Sequence, residues 1–362
     1  MTGIDGSVES KRVAPRRHLL SPAALLGQAP HLLGIGGFYL AIIVYFAFAA
    51  PFFFTSTNAV NILSNVSVIG VVAIGQALVL IAGGFDLSVS GLVPLGGVMY
   101  TVAINDGLGI PEATAVAILL GVAVGVLNGF IITKVGINPL VTTLGMLSIT
   151  GGLAFTISDG VTIPLENVDA APLGEEFAGM PLYVWTLIAL SLVAFLVLRF
   201  TVYGRMLYAL GGNREASRLA GMRVDLLTIS VYAASGACAA FAGVMIVHQL
   251  LAGAPAVGGD AALESITAVI LGGASLTGGA GGIPGTMIGV LIIGTIANGL
   301  ALMQVPTFYQ DIATGVLLLL AVTFGQLRVL FGRRTTRVLA GMTVSAGHAR
   351  ARWRRRSDTN QQ

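Results

Sequence analysis

Long apolar runs alternate with short polar segments along most of the chain. A helix needs about 20 mostly apolar residues to cross the hydrocarbon core of a bilayer, and ten runs approach that length, some of them short or broken by glycine. The sequence therefore predicts an all-α polytopic membrane protein with about ten transmembrane helices, or eight if two of the weaker runs are re-entrant. The predicted spans are 34–54, 59–82, 87–104, 113–133, 139–157, 182–198, 226–251, 263–276, 283–303 and 308–324.

Composition supports this interpretation. Hydrophobic residues make up 55% of the 362 residues and charged residues only 10%, against roughly 25% charged residues in an ordinary globular domain. So few charges cannot cover the surface of a soluble protein of this size. The composition disfavours a soluble enzyme, a nucleic-acid binder and a disordered linker.

The basic residues fall into four groups. Four precede the first span, Lys134 follows the fourth, five arginines lie between the sixth and the seventh, and nine follow the tenth, which accounts for all 19. In a ten-span arrangement with both termini in the cytoplasm, every group lies on the cytoplasmic side, as the positive-inside tendency requires. The loops predicted for the opposite side carry acidic residues and no basic ones.

These features divide the chain into three parts. We expect a cytoplasmic N-terminal tail over 1–33, a transmembrane domain over 34–325, and an Arg-rich cytoplasmic tail over 326–362. Contact of the second tail with anionic lipid or nucleic acid is an alternative, but a solvated tail that fixes the topology is the favoured interpretation.

The few lysines and the single cysteine argue against ATP hydrolysis and against a disulfide in this chain. A Walker A loop needs a lysine beside the nucleotide phosphates, and neither Lys11 nor Lys134 follows a glycine-rich loop. We therefore expect no ATP hydrolysis by this chain and no cofactor or metal bound to it. Cys238 is the single cysteine, so no intrachain disulfide forms, and its apolar neighbours predict a small buried side chain.

Glycine is concentrated in two stretches, 83–91 and 272–285, each at the end of an apolar run. Glycine-interrupted segments in the two halves of a transporter are typical of a substrate pathway, whereas close helix packing explains them equally well. Both stretches are predicted on the same side of the membrane. The candidate residues of a translocation path or gate are Gly83, Gly84, Asp86, Ser88, Asn128, Gly272, Gly273, Ser275, Thr277 and Asn298.

The polar members of this set have alternative explanations. Asp86 precedes a predicted helix, where aspartate is a favoured N-cap, and capping is favoured over a direct role in transport. Asn128 and Asn298 can bind a polar substrate or form a hydrogen bond to a neighbouring helix, and the helix contact is favoured. His248 is expected to be a packing residue rather than a proton relay.

The polar segment 200–225 differs from the other loops. From Asn213 its pattern predicts a short amphipathic helix of about two turns, with Asn213 as N-cap, Glu215 in the first turn, Leu219 on the apolar face and Gly221 as the C-terminal stop. The alternative is a connector that lies on the lipid surface.

Three motifs in this chain resemble those of ABC-importer permeases of the ribose/monosaccharide type, within the wider group that includes the branched-chain amino-acid permeases. GNREASRLAG at 212–221 resembles their coupling loop, GGFDLSVSG at 83–91 their Gly-Gly-x-Asp-Leu-Ser motif, and GGASLTGGAGGIPG at 272–285, followed by Asn298-Gly299, their C-terminal glycine-rich motif. The resemblance covers residues 59 to 325. It implies that a coupling loop is formed by Gly211, Gly212, Asn213, Glu215, Ala216, Leu219 and Gly221.

The resemblance also implies partners and a location. Such a permease pairs with a second permease subunit, identical or different, and is embedded in lipid in a bacterial plasma (inner) membrane. Two cytoplasmic ABC ATPases, which bind ATP-Mg, drive it, and a periplasmic or lipid-anchored substrate-binding protein supplies its cargo. The scarcity of charge within the spans favours a neutral monosaccharide such as ribose, xylose or galactose. No nucleic-acid partner is expected.

Other functions stay open at this point. The same machine could carry a nucleoside, an autoinducer-type sugar or a branched-chain amino acid. An ion-coupled secondary transporter would need intramembrane carboxylates, for which Asp86, Glu264 and Asp311 are the candidates. A channel or membrane scaffold has no support beyond hydrophobicity.

Overall fold

The computed structural model describes residues 29–310, 312–321 and 323. Apolar helices occupy all ten predicted positions within this part of the chain, and two shorter helices lie between the sixth and the seventh. Most of the N-terminal tail, the whole Arg-rich C-terminal tail and Asp311 lie outside the described residues. The helices are α1 (Ala29–Ala49), α2 (Ser56–Ile81), α3 (Val89–Asn105), α4 (Ile110–Phe130), α5 (Pro139–Ile157), α6 (Leu182–Phe200), α7 (Val202–Gly212), α8 (Arg214–Leu219), α9 (Val224–Leu250), α10 (Ala261–Leu271), α11 (Ile283–Leu302) and α12 (Thr307–Ala321).

Six of the described helices are long and apolar enough to cross a bilayer. They are α2, α4 with the π-helical turn Ile131–Val135 that continues it, α5, α6, α9 and α11. The apolar part of α1 is shorter, as are α3, α10 and α12. A mainly helical, multi-pass membrane architecture is thereby confirmed, while ten complete spans and the sidedness of the termini stay predictions.

Helix α9 lies at the centre of the bundle and packs against α4, α3 and α2. Glycines on α4 allow the close approach: a Cβ atom on Gly121 would overlap the carbonyl oxygen of Gly236, and one on Gly125 would overlap that of Tyr232. Small residues at such contacts let transmembrane helices pack backbone against backbone. These α4 glycines lie outside the two glycine-rich stretches of the sequence, and they serve helix packing.

The loops at one end of the bundle are joined by short strands. β1 (Ile163–Pro164) pairs antiparallel with β4 (Ala252–Gly253), and β2 (Glu176–Phe177) pairs with β3 (Met180–Pro181). The side chain of Asn105, at the end of α3, donates a hydrogen bond to the carbonyl oxygen of Pro164 at 3.0 Å. The acidic loops that the sequence assigns to one side of the membrane therefore meet at one end.

His248, near the same end, is buried. Its Nε2 lies 3.0 Å from the hydroxyl of Tyr100, which donates a hydrogen bond to the carbonyl oxygen of Ala170. His248 thus packs inside the bundle and contacts Tyr100, while its Nδ1 is buried with no hydrogen-bond partner in the described structure.

At the opposite end, the sequence predicted helix only from Asn213 onward, and the structure adds α7 before it. Thr201 caps this helix by accepting a hydrogen bond from the backbone N–H of Gly204 at 3.1 Å. Leu207 and Leu210 are fully buried against the bundle. Burial of one apolar face explains why α7 forms in a segment that reads as a polar loop.

Candidate functional site

The segment predicted as a coupling loop contains the short helix α8. Asn213 caps it, because its Oδ1 accepts a hydrogen bond from the backbone N–H of Ala216 at 2.9 Å. The helix ends before Gly221, whose φ of 81° lies in the left-handed region that glycine adopts at low cost. The predicted cap and stop are confirmed. Glu215 is exposed, and Leu219 is 82% exposed although it is apolar.

Asp225, in the first turn of α9, ties α8 to the bundle. Its Oδ2 accepts a hydrogen bond from Nζ of Lys134 at 2.6 Å, and its Oδ1 lies 3.9 Å from Arg214 and 3.7 Å from Arg218. All the ion pairs found in the described part of the chain meet at this carboxylate. Exposed ion pairs contribute little one by one, but here they hold two of the predicted basic groups at the same end of the molecule.

Three glycine-containing segments that are far apart in the sequence meet beside the start of α8. The backbone N–H of Gly279 donates a hydrogen bond to the carbonyl oxygen of Ile81 at 2.9 Å. A Cβ atom on Gly211 would overlap that oxygen and lie 2.5 Å from the nitrogen of Gly279, and one on Gly278 would lie 2.7 Å from Cα of Gly83. We call this contact the glycine junction, and it is formed by Ile81, Gly83, Gly211, Gly278 and Gly279.

The glycine junction brings together the end of α2, the end of α7 and the loop that follows α10. Gly83 and Gly278 have φ values of 83° and 84°, a backbone conformation that other residues adopt only at a cost. The hydroxyl of Tyr208, on α7, donates a hydrogen bond to the carbonyl oxygen of Gly281 at 2.9 Å. Burial raises the pKa of the Tyr208 phenol above its usual value, so that it stays protonated and able to donate.

Ser275 and Thr277 stabilise the loop itself. Their hydroxyls lie 2.9 Å apart, and the backbone N–H of Thr277 donates a hydrogen bond to Oγ of Ser275 at 3.2 Å. Gly272 packs against the backbone of Gly285, where the chain turns into α11, and Gly273 has a φ of 95°. These predicted path residues thus shape the loop that closes the junction.

Asp86, Ser88 and Asn128 form a second, fully buried cluster where α3 begins. Oδ1 of Asp86 accepts hydrogen bonds from the backbone N–H of Ser88 at 3.0 Å and from its hydroxyl at 2.5 Å. The side-chain amide of Asn128, on α4, donates to the same hydroxyl at 2.9 Å. Asp86 therefore stabilises the turn just before α3, but the N-cap residue of α3 is Ser88 and not the predicted Asp86. Asn128 joins α4 to Ser88, which is the helix contact that the sequence favoured.

A tyrosine links this cluster to the central helix. The hydroxyl of Tyr232, on α9, donates a hydrogen bond to the carbonyl oxygen of Phe85 at 3.0 Å. A Cβ atom on Gly84 would lie only 2.6 Å from that hydroxyl, so glycine is needed for the close approach. The turn between α2 and α3 is thereby fixed against α9.

Asn298 stands apart from the other predicted path residues. It lies on α11, 15 residues after Ile283, and therefore about 22 Å along the helix axis from the loop that closes the junction. Its Oδ1 is buried and accepts no hydrogen bond within the described structure.

Sequence reasoning missed several residues that hold the site together. Asp225, Tyr208 and Tyr232 each contact a partner distant in the sequence, which for Asp225 is Lys134, so periodicity does not reveal their roles. One signal was available for Asp225, because it follows a run of arginines in a chain with few acidic residues on that side.

Comparisons with known proteins agree on one family. The family model described as "Branched-chain amino acid transport system / permease component" matches residues 58–322. The L-arabinose ABC transporter permease protein AraH of Azospirillum brasilense is 37% identical over 313 residues, covering 85% of this chain and 92% of that protein.

Two ribose permeases are similarly related. The ribose import permease protein RbsC of Escherichia coli K12 is 37% identical over 288 residues, covering 78% of this chain and 90% of the relative. The Bacillus subtilis protein of the same name is 35% identical over 291 residues, covering 80% and 90%. No solved structure matches the chain.

Proposed function

The chain belongs to the family of branched-chain amino acid transport system permease components, and from this membership we propose that it is the transmembrane permease subunit of an ATP-binding-cassette importer for a neutral monosaccharide. The relatives named for L-arabinose and ribose support the sugar cargo. A separate subunit hydrolyses the ATP. A nucleoside, an autoinducer-type sugar or a branched-chain amino acid is the alternative cargo for the same machine.

The proposed importer is an assembly in a bacterial inner membrane. This chain pairs with a second permease subunit, two ABC ATPases with ATP-Mg lie on its cytoplasmic side, and a substrate-binding protein delivers the sugar from the opposite side. The end of the molecule that carries α8 and the Asp225 ion pairs is the cytoplasmic end, because it gathers Lys134, Arg214 and Arg218.

In this proposal α8 is the docking element for the ATPase. Glu215 and Leu219 are both exposed on it, and an exposed large apolar side chain on a short surface helix suits insertion into a groove of a partner. Lipid contact, the other interpretation of this segment, is less well supported, because Arg214, Glu215 and Arg218 surround Leu219 with charge.

The observation that carries the coupling mechanism is the packing of Gly211 in the glycine junction. Gly211 lies three residues before Arg214, the first residue of α8, and is in backbone contact with Ile81 and Gly279. Backbone segments packed this closely cannot move independently of one another. A movement of α8 therefore shifts the end of α2 and the loop after α10 together. Closure of the ATPase pair is thereby transmitted to helices that line the transport path.

Two neighbouring glycines provide the test. In Gly211→Ala the new Cβ overlaps the carbonyl oxygen of Ile81, whereas Gly212→Ala meets nothing within 4 Å. Overpacking of this kind costs about 1–3 kcal/mol, so Gly211→Ala should lower ATP-driven uptake of labelled L-arabinose or D-ribose roughly tenfold, while Gly212→Ala keeps it near the wild-type value. Uptake is measured in cells that express the complete importer, with ATPase co-purification as the control for assembly.

Equal uptake by the two variants contradicts the coupling role of the junction. The importer class has its own check: uptake should stop when ATP is depleted and persist when the proton gradient collapses at constant ATP. The reverse result indicates an ion-coupled secondary transporter.

A further inference from the structure

A cavity of about 220 Å³ lies between four helices at the end of the molecule opposite α8. Its walls come from the first half of α2, from α3, from the end of α9 and from the start of α10, and the loop that contains Gly258 borders it. Pockets for drug-sized ligands hold roughly 300–1,000 Å³, so this volume suits a smaller solute, of the size of a monosaccharide.

Polar and apolar side chains share the lining. Asn65, Gln249 and Glu264 supply two carboxamides and a carboxylate, and Val68, Val72 and Ile246 supply apolar surface. A sugar ring presents hydroxyls around its edge and C–H groups on its faces, so such a mixture matches both parts of the ligand. Carboxamides both donate and accept hydrogen bonds, and a carboxylate accepts strong ones.

One of the polar side chains is held in place by the fold. Nε2 of Gln249, on α9, donates a hydrogen bond to the backbone carbonyl oxygen of Ser64, on α2, at 3.1 Å. This bond fixes the carboxamide between the two helices and keeps its oxygen as an acceptor for a hydroxyl. Asn65 is exposed, which places it at the mouth of the cavity.

The cavity is distinct from the predicted path residues. Its described lining includes no glycine of the two glycine-rich stretches. It also includes none of the polar path residues Asp86, Ser88, Asn128 and Asn298. It is nevertheless connected to them, because α2 borders the cavity and ends at the glycine junction, and the loop that follows α10 supplies Gly278 and Gly279 to that junction. Val72 lies nine residues before Ile81, about 14 Å along the helix.

From this geometry we infer that the cavity is the outward-facing site that receives the sugar from the substrate-binding protein, with Asn65, Gln249 and Glu264 as its hydrogen-bonding residues. The inference rests on the proposed importer function and adds the place where this chain first holds its cargo. The ligand class is a neutral polyol. The twelve described lining residues include no lysine or arginine, and this described lining suits an uncharged ligand better than one that carries an α-carboxylate or a phosphate group.

The first test measures coupling rather than folding. Proteoliposomes with the complete importer are assayed for labelled L-arabinose, D-ribose, D-xylose and D-galactose imported per ATP hydrolysed. Glu264→Gln weakens a charge-assisted acceptor and should lower this ratio about fivefold for the sugar that the wild type carries, with ATP hydrolysis continuing. The matched control is Glu112→Gln, an exposed carboxylate at the start of α4, which should leave the ratio unchanged.

A second test covers the case in which a variant assembles poorly. In a Cys238→Ser background, Asn65→Cys is labelled with a membrane-impermeant maleimide in the permease–ATPase complex, without and with L-arabinose or D-ribose at high millimolar concentration. If sugar occupies the cavity in two-thirds of the molecules, the maleimide should label Asn65→Cys about threefold more slowly, because only the empty third can react. Glu112→Cys, outside the cavity, should show no protection.

The outcomes separate the site from the function. If the wild type imports either sugar while Glu264→Gln behaves like Glu112→Gln and Asn65→Cys is not protected, the site assignment is wrong and the importer function stands. If L-leucine protects Asn65→Cys and neither sugar does, the polyol class is wrong. If the wild type imports none of L-arabinose, D-ribose, D-xylose and D-galactose, the proposed cargo and the inference built on it are both wrong.

Discussion

Single polar residues inside the bundle are held by short hydrogen bonds, and Asp86 is the clearest example. Its carboxylate accepts two hydrogen bonds from Ser88 and is fully buried. The sequence predicted a helix cap at Asp86, because aspartate before a helix is a local signal, but Ser88 takes the N-cap position of α3 and Asp86 bonds to it from the preceding turn. The partnership of Ser88 with Asn128 joins residues 40 positions apart, and hydrophobic periodicity contains no information on such a pairing.

Substitution of Asp86 separates its hydrogen bonds to Ser88 from a need for charge. Asp86→Asn keeps a side-chain oxygen that can accept both hydrogen bonds from Ser88, so uptake and thermal stability should stay near the wild type. Asp86→Ala removes the acceptor and should cost about 1 kcal/mol of stability. Thermal unfolding of the purified protein in detergent and sugar uptake in cells measure the two effects. Loss of uptake in Asp86→Asn with an unchanged melting temperature would mean that transport needs the charge.

Helices were the part of the structure that the sequence predicted best. All ten apolar runs became helices at the expected positions, since long apolar segments in lipid must satisfy their backbone hydrogen bonds internally. Helix α7 was missed because its burial depends on α2 and α9 rather than on its own composition. The pairing of β1 with β4 was equally hidden, because it joins loops almost ninety residues apart.

Two glycine-to-alanine substitutions in different helices should change the thermal stability of the protein in opposite directions. Glycine to alanine normally stabilises a helix by about 0.5–1 kcal/mol, and Gly145→Ala on α5 meets nothing within 4 Å. Gly125→Ala on α4 places its Cβ on the carbonyl oxygen of Tyr232 and should destabilise the α4–α9 contact by about 1–3 kcal/mol. Melting temperatures in the same detergent compare the two variants. Similar shifts in both would contradict the close packing of α4 on α9.

For the whole molecule, two helices connect the regions that the importer must coordinate. α2 and α10 each border the cavity. The end of α2 and the loop that follows α10 meet at the glycine junction, which contacts the segment that leads into α8. The sequence correctly placed both glycine-rich stretches on the same side, because the span count and the charge distribution agreed. It did not reveal that Gly211 packs between them, since the contact joins three segments that no local pattern relates.

The sidedness of the molecule can be tested with two cysteines. If the basic end is cytoplasmic, then in a Cys238→Ser background an impermeant maleimide should label Ala256→Cys, in the loop after α9, on intact spheroplasts. Gly212→Cys, beside the exposed helix α8, should react only after the membrane is permeabilised. Both positions are exposed, so accessibility across the bilayer, and not burial, decides the result. Labelling of Gly212→Cys, but not of Ala256→Cys, on intact spheroplasts would show that the topology is the reverse of the predicted one. Labelling of both cysteines from the same side would show that α9 does not cross the membrane.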